Sequence, residues 1–186
     1  MDIRIKLAEK EDLQAILEIQ YLAFRKEARE YSDFNIEPLQ QTVDNLEEEI
    51  KTFTFLKALD ELGKIIGSIR GYIKDGTSYI GKTFVHPDFQ GQGIGSKMIT
   101  ELERMNHASR YEINSSIRCP QNIRLYEYLG FKKFKETKTE DNGFVYLEKF
   151  GADSKDIWEE LYKKQKSNTI LKMFHLLCMH IMWYVL

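Results

Sequence analysis

Gln90-Gly91-Gln92-Gly93-Ile94-Gly95-Ser96 joins two stretches of different period. Before it, Thr77 to Val85 reads as a strand. After it, Ile94, Met98, Leu102 and Met105 form one stripe of a helix beginning near Gly93. A glycine-rich passage from strand to helix narrows the possible folds. The first helical turn leaves several amides unpaired and carries about half a positive charge. Glycines let a backbone approach an anion without Cβ contacts, and Ser96 adds a hydroxyl donor. A purely steric turn uses the same composition, so the loop alone leaves both readings open.

The rest of the chain supplies the context. Ile3 to Leu7 alternates as a short strand, and Leu13, Ile16, Leu17 and Phe24 recur at helical spacing after acidic Glu9, Glu11 and Asp12. Leu39, Val43, Leu46 and Ile50 predict a second helix opened by Pro38. Strands follow at Phe53 to Leu59, Ile65 to Lys74 and Thr77 to Val85, with Asp75-Gly76 as the hairpin signal between the last two. Beyond the glycine loop come the long helix, a strand over Tyr111 to Ser116, and a short helix from Asn122 to Leu129 closed by Gly130. Two last strands, Phe131 to Thr139 and Phe144 to Phe150, flank Asp141-Asn142-Gly143. The order β-α-α-β-β-β-α-β-α-β-β is an α+β pattern with one βαβ unit at its centre.

A second glycine motif competes with the first. Gly76-Thr77-Ser78-Tyr79-Ile80-Gly81-Lys82-Thr83 matches the nucleotide-binding P-loop letter for letter. That mechanism requires a helix directly after Lys82-Thr83, and here Phe84-Val85-His86-Pro87 follows. Proline there forbids a helix of useful length. The match is read as a coincidence in one arm of a hairpin.

Composition removes other classes. The 186 residues are 42% hydrophobic and 30% charged, which suits one globular domain with a real core. A formal charge of -2 gives no broad cationic field for nucleic acid. Two cysteines and four scattered histidines match no disulfide framework or metal-site spacing, so no metal is expected. Met1-Asp2-Ile3-Arg4 shows no signal peptide, and a cytoplasmic location is expected.

Val85-His86-Pro87-Asp88-Phe89-Gln90-Gly91-Gln92-Gly93-Ile94-Gly95 closely resembles the acetyl-CoA signature of the GNAT superfamily of N-acetyltransferases. Gln90, Gly93 and Gly95 fill the fixed positions of its Gln/Arg-x-x-Gly-x-Gly/Ala pattern. Asn122-Ile123-Arg124-Leu125-Tyr126-Glu127-Tyr128-Leu129-Gly130-Phe131 is similar to the family's second signature, a short helix ending in Tyr-x-x-x-Gly-Phe. The resemblance implies a GNAT-like acyl-CoA N-acyltransferase fold over residues 1–150, with a mixed, mostly antiparallel sheet flanked by helices. It further implies acetyl transfer from acetyl-CoA, as cosubstrate, to a primary amine by direct attack in a ternary complex. Phe84 and Val85 would offer backbone hydrogen bonds to the pantetheine arm, in a gap where the strand before the loop splays from Tyr111 to Ser116. Amides of Gln90, Gly91, Gln92, Gly93, Ile94, Gly95 and Ser96 would hold the pyrophosphate, and Asn122 would reach the cofactor from the second helix.

The chemistry needs a neutral amine, a polarised thioester carbonyl and a proton for the departing thiolate. By similarity, an amide near Val85 polarises the carbonyl and Tyr126 serves as general acid, since an ordinary phenol stays protonated at neutral pH. Alone, Tyr126 reads as core packing of an amphipathic helix. The strand ending in Val85 carries no carboxylate, so deprotonation runs through water and backbone carbonyls or through a carboxylate of the helical region such as Glu27 or Glu30. Arg25, Arg29, Tyr31 and Phe34 fall where the family builds its acceptor pocket, while Glu47-Glu48-Glu49 reads as a solvated helix face. A peptide N-terminus, a lysine, a polyamine, an aminoglycoside and a small amine metabolite all satisfy the description of the acceptor. A non-catalytic acyl-CoA-binding module is the alternative.

Residues 151–186 form a C-terminal extension whose apolar stretch, Ile170 to Leu186, would span about 25 Å as a helix. That is short of the roughly 30 Å bilayer core, and Lys172, His175 and His180 penalise insertion. A packing or homodimer helix is expected instead, with an accessory sequence as the other reading.

Overall fold

The computed structural model describes residues 2–138 and 143–151, apart from the side chains of Glu27, Glu30 and Tyr31. The chain divides into compact units at Met1–Lys149 and Phe150–Leu186. The expected C-terminal helix lies outside the described residues.

The element order is the one the hydrophobic period predicts. Strands are β1 (Arg4–Leu7), β2 (Thr54–Leu59), β3 (Ile65–Lys74), β4 (Thr77–Val85), β5 (Arg110–Ser116), β6 (Lys132–Lys138) and β7 (Gly143–Phe150). Helices are α1 (Leu13–Tyr31), α2 (Val43–Glu49), α3 (Ile94–Met105) and α4 (Pro120–Tyr128). The strands form one sheet in the order β1-β2-β3-β4-β5-β7-β6. Antiparallel pairs run from β1 to β4, and β4 pairs with β5 in parallel through the βαβ unit that contains α3. The fold is the mixed, mostly antiparallel sheet flanked by helices.

Helices cover both faces. Ile94, Met98, Ile99 and Leu102 of α3, with Ile123 and Tyr126 of α4, pack on Leu56, Ile69, Ile80 and Ile113. On the other face Leu13, Ile16, Leu17 and Ile19 of α1 meet Leu46 of α2, Phe55 and Phe84. Each such fully buried aliphatic side chain contributes roughly 1.5–3 kcal/mol of transfer free energy. Local chemistry fixes the ends. The Glu9 amide donates to Asp12 Oδ2 at 2.7 Å ahead of α1, and Ser32 closes that helix in the left-handed region at φ 53°. Asp75 and Gly76 both have positive φ, at 48° and 74°, as a two-residue hairpin turn requires.

One boundary differs from expectation. Pro38 does not open α2 but sits in a separate single turn, Glu37–Leu39. The helix begins at Val43, where Thr42 Oγ1 accepts from the Asn45 amide at 3.3 Å and Asn45 Oδ1 accepts from the Thr42 amide at 2.9 Å. This reciprocal cap is a stronger start than proline alone. Similarly, α4 starts at Pro120 and not Asn122, with proline in the first turn where no amide is needed.

Candidate functional site

The parallel ladder between β4 and β5 stops halfway. Thr77, Ser78, Tyr79 and Ile80 pair with Arg110, Tyr111, Glu112 and Ile113, and the pairing ends there, although β4 runs on to Val85 and β5 to Ser116. A bulge accounts for the parting. Ile80 pairs with Gly71 and Thr83 with Ile69, so Gly81 and Lys82 together oppose the single residue Arg70. An extra residue bends and twists a strand and reverses the faces of the residues beyond it. Ile80 accordingly packs with α3, and Phe84, four residues later, packs with α1. The chain thus opens a gap between two strands of its own sheet.

Backbone polarity in that gap derives from the register. The His86 amide donates to the Ile66 carbonyl at 2.8 Å. Antiparallel alternation then turns the backbone groups of Phe84 toward β3, and those of Thr83 and Val85 toward the gap. Gln90 Nε2 donates to the Val85 carbonyl at 3.1 Å, tying the loop to the strand. The amide of Val85 therefore faces the gap, and Thr83 joins it. Sequence alone does not single out Thr83, because only the register reveals which residues turn outward.

The loop then delivers its amides. Gly91 and Gly93 adopt φ of 77° and 75°, and Gly93 caps α3 without any side-chain partner. The first bond into the helix is Lys97 N–H to the Gly93 carbonyl at 3.1 Å. Among the described residues, no protein acceptor meets the amides of Gly91 to Ser96. The helix tip is open. Gly95 is informative because its φ is ordinary and a Cβ there would meet no protein atom within 4 Å. Neither backbone strain nor packing demands glycine at this position, and a small residue there leaves the tip open to a close-approaching anion.

Around the tip lies a cavity of about 580 Å3 whose walls include Thr83, Phe84, Val85, Gln90, Gly91, Gly93, Ile94, Gly95, Ser96, Asn122 and Tyr126. Of the sequence-predicted residues only Gln92 is missing from the wall; it is exposed. Among the described residues, Lys26 of α1 is the one charged side chain lining this half, its Nζ 3.4 Å from Gln90 Oε1. A second cavity of about 560 Å3 opens on the same gap, and Phe24, Thr83, Asn122 and Tyr126 line both. Tyr126 is 7% exposed, its ring 6.4 Å from that of Phe131.

The second cavity is lined by other residues of the expected acceptor segment. Arg25, Arg29 and Phe34 are exposed and do not line it. Phe24 and Ala28, one helical turn apart, face inward instead, followed by Asp33, Asn35, Ile36, Glu37 and Pro38. The cavity uses the expected segment but the other face of its helix. The side chains of Tyr31, Glu27 and Glu30 lie outside those described.

Beneath this cavity lies a feature that periodicity does not predict. Arg70 is 1% exposed, with Nε 2.7 Å from Glu49 Oε2 in an ion pair without an aligned hydrogen bond. Its terminal nitrogens donate to Gln20 Oε1 at 3.0 Å and Gln41 Oε1 at 2.5 Å, and its guanidinium lies 5.2 Å from the Phe55 ring centre. Burial pushes its pKa down, partly offset by Glu49. Glu49 is therefore a counter-ion and not part of a solvated face, while Glu47 and Glu48 pair with Lys10 and Lys51 at the surface. The sequence sign is an arginine within Ile65 to Ile73, a run otherwise without charge.

The P-loop match dissolves into this geometry: Thr77 to Thr83 are strand β4, and a single turn, Pro87–Phe89, comes after it. Among the described residues there is no cluster of potential metal ligands, and no helix is long and apolar enough to cross a membrane.

Comparison with known proteins agrees with the geometry. Residues 51–133 match the sequence profile of the acetyltransferase (GNAT) domain. PaiA N-acetyltransferase from Thermoplasma acidophilum, solved in complex with coenzyme A, superposes with a TM-score of 0.69 at 17% identity, over 81% of this chain and 100% of that one. A GNAT superfamily phosphinothricin acetyltransferase from Sinorhizobium meliloti, in complex with AcCoA, gives 0.69 at 18% identity over 84% and 92%. The ribosomal-protein-S18-alanine N-acetyltransferase from Escherichia coli gives 0.64 at 18% identity over 79% and 92%. No curated protein sequence matches this chain significantly. Residues 51–133 are thus similar to the GNAT acetyltransferase domain, and the fold around them is the one these acetyltransferases share.

Proposed function

We propose that this protein is an N-acetyltransferase that moves the acetyl group of acetyl-CoA to a primary amine by direct attack within a ternary complex. The observation that carries the proposal is the open α3 tip, set at one end of a split sheet with a separate chamber at the other. Unpaired amides from Gly91 to Ser96 suit a diphosphate, and the coenzyme A and AcCoA complexes of similar folds support that ligand class. Thr83 and Val85 suit an extended amide-bearing arm that completes the interrupted ladder.

In the reaction, the amine nitrogen forms a bond to the thioester carbon while the carbon–sulfur bond breaks. The Val85 amide stabilises the developing oxyanion. The Tyr126 phenol gives its proton to the departing sulfur and recovers one from solvent. The proton lost by the amine leaves through water or through a carboxylate of the acceptor chamber, where Asp33 and Glu37 stand. A non-catalytic acyl-CoA-binding role is the second reading, favoured by the lack of a carboxylate on β4. Incubation with acetyl-CoA and a broad amine panel, following release of the CoA thiol, decides between them. Turnover on any amine supports the enzyme; saturable binding without turnover supports the second reading.

Two expected results probe the cofactor half. Gly95→Glu is expected to leave the melting temperature unchanged or slightly higher, because a carboxylate suits the first helical turn and a Cβ there meets no protein atom. Coenzyme A affinity in calorimetry should nevertheless fall by about tenfold. Equal affinity would remove the diphosphate from that position. Lys26→Glu, which reverses the charge in the cavity wall, should weaken coenzyme A binding several-fold at low salt and less at high salt. A salt-independent effect would argue against a charge interaction.

A further inference from the structure

The bulge that parts the sheet also aims a cation into the acceptor chamber. Lys82, one of the two bulged residues, lines that chamber with a side chain only 20% exposed. Arg118 lines it as well, so the walls carry two cations beside the anions Asp33 and Glu37. Behind Lys82, Arg70 is already matched by Glu49 and two glutamine side chains and does not absorb a further anion. Lys82 is instead met at 2.7 Å by Glu37, whose side chain is 64% exposed on the short turn before α2. Burial and the neighbouring Arg70 hold Lys82 below the ordinary lysine range, and Glu37 offsets part of that.

Such a pair is asymmetric. An ammonium largely withdrawn from water needs an anion, while an exposed glutamate gains little from the contact and is readily replaced. We infer that the acceptor is an amine that also bears a carboxylate, of the amino-acid class, whose carboxylate takes the place of Glu37 on Lys82. Its amine then lies toward Phe24, Asn122 and Tyr126, where the two cavities meet. An acceptor that displaced Glu37 with a second ammonium would leave Lys82 beside like charge, which works against polyamines and aminoglycosides. This inference rests on the proposed transferase reading and narrows its substrate.

The test is calorimetric titration of the coenzyme A-loaded protein with the common amino acids, their methyl esters, the matching decarboxylated amines and spermidine. At least one free amino acid should bind, about tenfold or more tightly than its ester and its decarboxylated counterpart. Lys82→Gln should remove that preference by lowering affinity for the acid alone, and Lys82→Arg should restore it in part. Unchanged coenzyme A affinity in both variants certifies the fold. The inference is overturned if no amino acid binds, if ester and acid bind alike, or if spermidine binds best. Binding of the acid without acetyl transfer would count against the transferase reading and leave the recognition of a carboxylate standing.

Discussion

Replacing Tyr126 with phenylalanine is expected to slow acetyl transfer by about 100-fold or more while coenzyme A affinity stays within about twofold. The substitution removes one oxygen and keeps the ring. Tyr126 is nearly buried and packed beside Phe131 at the end of α4, and that apolar contact survives in the variant. The loss of activity should fall on kcat. The position explains why: this ring lines both cavities, at the junction where, in the proposed reaction, the acyl group passes from donor to acceptor. A thiolate leaving without a proton raises the barrier, and no other described residue with a phenol lines either cavity. If the variant turned over within about twofold of the parent, Tyr126 would be a packing residue and the departing sulfur would draw its proton from water.

The second large effect concerns stability. Arg70→Ala is expected to destabilise the fold by about 3 kcal/mol, a fall of roughly 10 °C in Tm, because it leaves Glu49 without its cation and strands two buried glutamines. The same interaction explains how α2 and α1 are held over the sheet: Gln41 Nε2 donates to Glu49 Oε1 at 2.7 Å and Gln20 Nε2 to the Pro38 carbonyl at 2.8 Å. The pair Arg70→Met with Glu49→Gln should recover a large part of the loss, since removing both charges leaves no orphan. Thermal unfolding of these variants and of Glu49→Gln alone checks this. Additive losses in the double variant would show that Arg70 and Glu49 are not coupled.

Much of the fold is legible in the sequence for a physical reason. The period changes at Phe53, Ile94 and Tyr111 mark elements whose one buried face writes itself into the chain, and the Asp75-Gly76 hairpin writes its positive φ values as residue types. The glycine loop is readable because left-handed backbone at Gly91 and Gly93 admits few other residues. Features that depend on pairing between distant segments are not. Nothing local to Gly81 and Lys82 announces that they oppose one residue of β3, so neither the bulge nor the inward aim of Lys82 can be read. The choice between Thr83 and Phe84 as the residue facing the gap likewise belongs to the register. That the second cavity takes Phe24 and Ala28 and not Arg25 and Arg29 is hidden by the same limit: a helix with apolar residues on more than one side does not say which neighbours its end will face.

Diphosphate recognition at the α3 tip is the central requirement, and parallel calorimetric titrations with coenzyme A and with pantetheine, which lacks the diphosphate, test it most directly. Coenzyme A should bind saturably at one site and at least about tenfold more tightly than pantetheine. No measurable affinity for coenzyme A, or equal affinity for both, would contradict it.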